Sequence, residues 1–178
     1  EVNPTGQPIG GGNGYTGGIK RDDPNVKYYV STKDEFLEAL SSCQPGETIW
    51  IEGDADIDMS YRFLILKGGI TIASDRGVNG SQGGRIFQKS AGSRLFTVNG
   101  ENVRLTGLRI EGPHKETTPV KGKTVALYCT HRYLEIDNCE IYGWSDAAIG
   151  IGMTNISPYK KTYSEEKTAE SNDTQSGT

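Results

Sequence analysis

Two segments of the chain repeat one pattern of alternating apolar and polar residues. They are 103–110 (Val-Arg-Leu-Thr-Gly-Leu-Arg-Ile) and 134–141 (Leu-Glu-Ile-Asp-Asn-Cys-Glu-Ile), and each reads as two short strands joined at Gly107 or Asn138. Glycine and asparagine tolerate the left-handed backbone of a sharp bend better than other residues do. A further short strand precedes each segment. Three strands per repeat, with no space for a helix between repeats, predict a β-solenoid.

The spacing of the repeats indicates a period of about 22 residues. Val103 and Leu134 are 31 residues apart, but the connection that follows segment 103–110 is 9 residues longer than the one that follows segment 134–141. The corrected separation of 22 equals that between Val125 and Ala147. We therefore expect successive coils to stack directly on each other, with Val103 and Leu134 on adjacent layers.

The same period aligns the earlier apolar segments. The residue numbers of Ile49 and Ile70 differ by 21, and those of Ile70 and Leu95 differ by 25. Alternation predicts that the outward side chains of the first repeat are Arg104 and Arg109. The inward ones are Val103, Leu105, Leu108 and Ile110. The predicted strands are 26–30, 48–52, 63–66, 70–73, 85–88, 95–98, 103–110, 125–129, 134–142 and 147–152.

One helix is predicted before the first coil. Thr32-Lys-Asp-Glu35 is a capping box, and Pro45-Gly46 ends the apolar periodicity that follows it. A helix over about 33–42 would cover the apolar end of the stack. No second cap is visible in the sequence, so we expect further coils or another chain to cover the C-terminal end.

Composition changes at both ends of the chain. Residues 1–25 are rich in glycine and predict an irregular arm, 26–157 form the predicted solenoid domain, and 158–178 predict a polar, flexible tail. The net charge of −4 provides no global basic field for nucleic acid, and no segment is apolar and long enough to span a membrane. Three Asn-x-Ser/Thr sequons favour a secreted protein.

The three cysteines Cys43, Cys129 and Cys139 leave two interpretations open. They act as small buried apolar groups, or two of them form a disulfide whose pairing the sequence does not decide.

The segments 30–53, 70–77 and 103–110 resemble the opening of pectate-lyase-like proteins, which are right-handed parallel β-helices. The resemblance covers about 26–152 and implies the N-terminal part of a secreted enzyme that cleaves uronate-containing glycans such as pectate by β-elimination. In that family calcium pairs with the substrate carboxylate, and an arginine or lysine removes the C5 proton. The resemblance places that base on coils beyond this chain, so the catalytic centre is expected to be incomplete.

The resemblance also bears on single residues. Leu134 to Cys139 is similar to a family strand of pattern V-W-I-D-H-C, with Asn138 where histidine is usual. Asp146 matches the first calcium-binding acid of the following family strand, and Gly150 replaces the second. Asp146 is thus a candidate metal ligand or catalytic acid, and Asp137 is a candidate ligand or base. Both also suit structural roles at strand bends.

Basic and aromatic side chains suggest where an acidic polysaccharide would bind. His131, Arg132, Lys121 and Lys123 could form a basic rim that grips sugar carboxylates, or an ordinary solvated loop. Trp144, with Tyr142, could stack on sugar rings or pack under a loop. The alternative function to a lyase-like protein is a non-catalytic carbohydrate-binding or structural β-solenoid.

Overall fold

The computed structural model describes residues 18–90, 94–114 and 123–152. Most of the predicted arm over 1–25 and the whole predicted tail over 158–178 lie outside these ranges. Within them the chain is mostly β-structure, and its one α-helix is short. No helix in the described ranges is long and apolar enough to cross a membrane.

The elements follow one another closely along the chain. In order they are β1 (Val26–Val30), α1 (Lys33–Ser42), β2 (Thr48–Ile51), β3 (Asp56–Asp58), β4 (Leu64–Lys67), β5 (Thr71–Ala73), a 3₁₀ turn (Val78–Gly80), β6 (Arg85–Phe87), β7 (Arg94–Asn99), β8 (Val103–Thr106), β9 (Arg109–Glu111), β10 (Val125–Cys129), β11 (Leu134–Asp137), β12 (Glu140–Tyr142) and β13 (Ala147–Ile151).

The strands form three parallel sheets that the chain visits in rotation. Sheet A has the order β1-β2-β5-β8-β11, sheet B the order β3-β6-β9-β12, and sheet C the order β4-β7-β10-β13. From β2 onward each set of three consecutive strands supplies one strand to each sheet, which is consistent with a β-solenoid. Leu134 pairs with Val103, and Ala147 pairs with Val125. The predicted stacking of these layers is therefore confirmed.

The predicted alignment of the earlier coils is wrong in two places. Ile49 pairs with Ile72 rather than with Ile70. Leu95 belongs to β7 of sheet C, whereas Ile70 directly precedes β5 of sheet A, so the two are not equivalent positions. The step between paired positions also varies, since Thr71 pairs with Arg104 across a much longer stretch of chain than Thr48 does with Thr71. A constant period fails because the corner loops differ in length.

The larger of two hydrophobic clusters in the described residues runs through the stack. Val103, Leu105, Leu108 and Ile110 are at most 1% exposed, as alternation predicts. Each such side chain contributes about 1.5–3 kcal/mol when it leaves water.

The sequence pattern did not predict the strand β3, because its single apolar residue, Ile57, lies between two aspartates.

The helix α1 begins with the capping box read from the sequence. The Glu35 backbone N–H donates to Oγ1 of Thr32 at 3.4 Å, and the Glu35 carboxylate accepts from the backbone N–H of Thr32 at 3.1 Å. The helix buries Phe36 and Leu40 in the core cluster. It therefore packs on the first coil beside β1 and β2.

The corners between sheets A and B are sharp where the repeats predict bends. Gly107 has φ 70° and Asn138 has φ 48°, both in the left-handed region. A Cβ at Gly107 would overlap the carbonyl oxygen of Ser74 in the coil below. The Asn138 side chain donates through Nδ2 to the carbonyl of Arg76 at 2.5 Å. These corners join coils through backbone groups as well as through the core, and the Asn138 contact reaches past β8 to the loop after β5.

No disulfide joins the three cysteines. Cys43 and Cys129 are buried and Cys139 is partly buried, and all three are free thiols. Burial raises the pKa of the Cys43 thiol and that of the Cys139 thiol to about 11. These side chains pack with the aliphatic core, as the first of the two interpretations proposed.

Candidate functional site

Asp137 forms a buried ion pair on the outer side of sheet A. Its carboxylate accepts from Nε of Arg104 at 2.9 Å and from the Thr106 hydroxyl at 2.6 Å. The residue is 5% exposed, and Thr106 is its register partner on β8. Both carboxylate oxygens are engaged, so this arrangement favours the structural role for Asp137.

Asp146 lies at the turn that leads into β13. Its backbone N–H donates to the carbonyl of Thr124 at 3.1 Å, and its exposed carboxylate is 3.9 Å from Nζ of Lys123. Calcium takes six to eight oxygen ligands. In the part of the chain that the structure describes, no three His, Cys, Asp or Glu side chains group together as a metal site. Asp146 by itself does not make a calcium site, and we derive no step through the ion.

The predicted basic rim divides between the two ends of sheet C. Lys123 precedes β10, whereas His131 and Arg132 follow it. A strand of five residues is about 17 Å long. Lys121 lies outside the described residues. The structure therefore does not bring Lys123 together with the histidine and the arginine.

His131 is partly anchored, and Arg132 is exposed. The His131 ring lies with Nδ1 3.2 Å from the carbonyl oxygen of Val98. Nδ1 is also 3.3 Å from the Thr130 hydroxyl, and because a carbonyl only accepts, Nδ1 is the donor in the contact with Val98. The contact ties the turn after β10 to β7 and positions Arg132 at the carboxyl end of sheet C.

Trp144 and Tyr142 lie in different surroundings. Trp144 is half-buried against the core, and its Nε1–H donates to the carbonyl of Ile110 at 3.3 Å. Tyr142 lies on the outer face of sheet B, where its hydroxyl is 3.0 Å from Oε2 of Glu111. Burial and the neighbouring carboxylate raise the pKa of Tyr142. Trp144 thus packs against the core.

The outer face of sheet C differs in charge from the other two sheets. The four strands of sheet C carry no aspartate or glutamate, but they carry Lys67 and Arg94. On sheet B, by contrast, Arg85 pairs with Asp56 at 2.7 Å and with Glu111 at 2.5 Å. Sheet C is thus the one described sheet whose strands offer an anion positive groups without competing carboxylates.

Arg94 and Tyr128 form the central feature of this face. The Arg94 guanidinium carbon lies 4.1 Å from the centroid of the Tyr128 ring. Leu95 and Phe96 are both fully buried, so alternation is interrupted there and Arg94 lies on the same side as Tyr128. If the strand alternated strictly from Thr97, which faces outward, Arg94 would face the interior. That break explains why this pair was missed.

Glycines on β13 and just after it make room for the tyrosine. Gly150 is the register partner of Tyr128, and a Cβ there would come within 2.9 Å of the ring. A Cβ at Gly152 would overlap the Tyr128 hydroxyl. The Thr97 hydroxyl, on the other side of Tyr128 in the sheet, is buried without a hydrogen-bond partner in the described part of the chain. The result is a partly exposed ring with the Arg94 guanidinium over its face.

Comparison with known proteins adds no name to this description. No protein-family model matches the chain, and neither a curated protein nor a solved structure matches it.

Proposed function

We propose that this chain is the N-terminal portion of a secreted, polysaccharide lyase-like protein, and that it binds a uronate-containing glycan on the outer face of sheet C. The observation that supports this most is the Arg94–Tyr128 pair on strands without carboxylates. A guanidinium pairs with a sugar carboxylate through two parallel hydrogen bonds, and an aromatic ring packs against the apolar face of a sugar. Here the Arg94 guanidinium lies over the Tyr128 ring, so the two groups form one stacked pair.

The proposal includes the architecture that the resemblance implies. The stack is a right-handed parallel β-helix, α1 is the cap of its N-terminal end, and further coils or another chain cover the C-terminal end. The three sheets visited in rotation and the contact of α1 with the first coil support it.

Binding would precede β-elimination in such a protein. A base takes the C5 proton of the uronate, the C4–O bond breaks, a C4=C5 double bond forms, and the departing oxygen takes a proton from water. Arg94 would hold a carboxylate and favour the charge that develops next to C5, while Lys67 and Arg132, at the other end of sheet C, would hold carboxylates of other sugar units. We assign no base among the described residues, and further coils would supply it. Calcium, if it takes part, would be held largely by ligands other than Asp146.

The second candidate function is a non-catalytic carbohydrate-binding or structural solenoid. It is favoured by the positions of the two acids that the sequence singled out. The Asp137 carboxylate forms an ion pair with Arg104, and the Asp146 carboxylate lies near Nζ of Lys123. The same sheet C face would bind the glycan, and no reaction would follow.

One set of measurements tests these functions. Polygalacturonate is titrated into the chain by calorimetry, and unsaturated uronate products are followed by absorbance, with calcium and with a chelator. Binding with a calcium-dependent rise in absorbance supports the lyase-like function and contradicts the non-catalytic one. Binding with a flat trace is expected both for the non-catalytic function and for a base on further coils, and absence of binding contradicts glycan binding in either function.

The site itself is tested by Arg94→Ala. Loss of a charge-assisted pair is expected to weaken binding of polygalacturonate about tenfold or more. Arg21→Ala is the matched control, because Arg21 pairs with Glu52 at the surface, near the first strands of sheet A. Equal affinities for the Arg94 variant and the unchanged chain would reject this face as the binding site.

A further inference from the structure

The loop between β5 and β6 projects from the corner of sheets A and B and has a depression on each flank. The first, of about 490 Å³, is lined by Gly53, Asp54, Asp75, Ser81, Gln82 and Arg109. The second, of about 520 Å³, is lined by Arg76, Gly77, Asn79, Gly80, Ser81, Gln82 and Glu140. The two share Ser81 and Gln82 and together form what we term the corner groove. Both volumes fall in the range of roughly 300–1,000 Å³ that small ligands occupy.

The loop that divides the groove is held in place by its neighbours. The backbone N–H of Arg76 donates to the carbonyl of Gly107 at 3.2 Å, and the carbonyl of Arg76 accepts from Asn138. The Gly84 N–H donates to the Ser74 hydroxyl at 2.8 Å, and the Ser81 hydroxyl donates to Asp75. The groove walls are therefore ordered before any ligand arrives, which lowers the entropic cost of binding.

Several polar groups at the groove have unused hydrogen-bonding capacity. Nε of Arg109 donates to the carbonyl of Gly83 at 3.0 Å, but its Nη1 and Nη2 groups make no hydrogen bond or ion pair within the described residues. Nε of Arg76 is buried without a partner there, although its Nη2 reaches Glu140 at 3.1 Å. The Asp54 carboxylate has no partner in the same ranges, and it is exposed.

The lining decides which class of ligand fits. It contains no large apolar side chain, so an apolar ligand would gain little from leaving water. Three carboxylates (Asp54, Asp75 and Glu140) face two guanidinium groups, so a polyanion is not favoured either. A sugar hydroxyl both donates and accepts, and thus matches carboxylate acceptors and guanidinium donors at once.

We propose that the corner groove binds a neutral saccharide. This site is separate from the outer face of sheet C and does not depend on the function proposed for that face. Arg109 would donate from its two Nη groups to neighbouring hydroxyls, while Asp54 and Gln82 would accept from others. Because the groove is open to water, we expect dissociation constants in the millimolar range.

The experiment follows backbone amide signals of the full chain by NMR while sugars are added. The probes are D-galactose, D-mannose, D-xylose, L-arabinose and L-rhamnose, each to about 10 mM, a concentration that covers millimolar dissociation constants. D-galacturonate is the matched probe, since it differs from galactose only in carrying a carboxylate at C6. We expect at least one neutral sugar to shift signals over residues 75–84 and at Arg109, and galacturonate to leave them in place. No shift with any neutral sugar, or equal shifts with galacturonate, would overturn the proposal.

Variants test which groups carry the binding. Arg109→Lys keeps the charge but loses the two-pronged donor, and Asp54→Asn loses the charged acceptor with little change in shape. Each is expected to weaken the neutral sugar about tenfold. Arg21→Lys is the control, and the amide spectrum itself reports whether each variant is folded.

Arg94→Ala distinguishes this site from the sheet C face. It should leave the neutral-sugar shifts unchanged while it weakens polygalacturonate. If it abolishes both, the two ligands share one site and the corner groove is rejected. If both Arg109→Lys and Asp54→Asn bind the sugar as the unchanged chain does, the groove is rejected as well.

Discussion

At the scale of single residues, partners distant in the chain decide what a carboxylate does. Asp137 is a candidate ligand or base by its sequence, but Arg104, from the preceding coil, approaches it across the sheet. The side chains of the two are 2% and 15% exposed. An ion pair so poorly hydrated is costly to break, because removing one partner leaves the other charge buried and unpaired.

We predict that Asp137→Ala lowers the free energy of unfolding by about 3 kcal/mol, since Arg104 and Thr106 both lose a buried acceptor. The measurement is urea unfolding followed by circular dichroism. Glu135→Ala is the matched control, because Glu135 is 40% exposed and 3.7 Å from Arg104. Its expected cost is below about 1 kcal/mol. Similar small losses for both variants would contradict a structural role for Asp137.

The Cys139 thiol gives a prediction on pH. Burial raises its pKa to about 11, so at pH 8 the nucleophilic thiolate is scarce. Folding therefore favours the protonated thiol. The stability that this group contributes is lost as pH rises from its pKa in the unfolded chain, about 8.5, through its pKa in the folded chain. Iodoacetamide at pH 8, followed by mass spectrometry, should label Cys139 slowly in the folded chain and rapidly in urea. Equal labelling rates would contradict it.

At the scale of elements, local sequence and tertiary packing agree best at α1. The capping box lies at 32–35, and the helix spans Lys33–Ser42. The backbone N–H groups of Ser31 and Thr32 hold the pKa of Glu35 below its usual value. Stabilisation by this carboxylate is thus present above its unfolded pKa and is lost as pH falls through its folded pKa.

Corners such as Asn138 combine a local preference for a left-handed backbone with a contact to another coil.

We predict that Thr32→Ala costs about 1 kcal/mol of stability at neutral pH, because the Glu35 N–H at the helix start loses its acceptor. Ser31→Ala is the control. Only its backbone N–H contacts Glu35, so the change should stay within about 0.5 kcal/mol. Thermal unfolding of both variants provides the comparison. A loss for Ser31→Ala as large as that for Thr32→Ala would argue against the capping box.

At the scale of the whole molecule, the two ends of the stack are unlike each other. α1 packs on the first coil, whereas β11, β12 and β13 are the terminal strands of their three sheets in the described ranges. On β13, Ile149 is 39% and Ile151 is 76% exposed. Unpaired strand edges beside exposed aliphatic side chains favour association with another β-structure.

We predict that the chain associates in a concentration-dependent way through this end. The double substitution Ile149→Lys with Ile151→Lys should shift sedimentation velocity profiles towards the monomer, since lysines on an edge oppose strand pairing. Ile65→Lys serves as the control, because Ile65 is 54% exposed on the outer face of sheet C. If all three samples sediment alike, the end does not mediate association.

The strands and corners of the repeats were predictable because neighbouring residues determine them. Alternation placed Leu105 inside, and the tolerance of Asn138 for a left-handed backbone predicted a bend. The pairing of Ile49 with Ile72 was not predictable from a fixed period, because corner loops of unequal length add residues without adding layers. Arg94 was missed for a related reason, since two consecutive inward residues reverse the side on which the next side chains lie.

The sequence by itself determined a repeating β-architecture, its aliphatic interior and the start of its helix. Each of these depends on side-chain size, polarity and backbone preference within a short stretch of chain. Only the tertiary structure decided that Asp137 is neutralised by Arg104, that Lys123 and Arg132 lie at opposite ends of sheet C, and that Arg94 stacks on Tyr128. These relations join residues far apart in the chain, and the stacking of coils sets the distances between them.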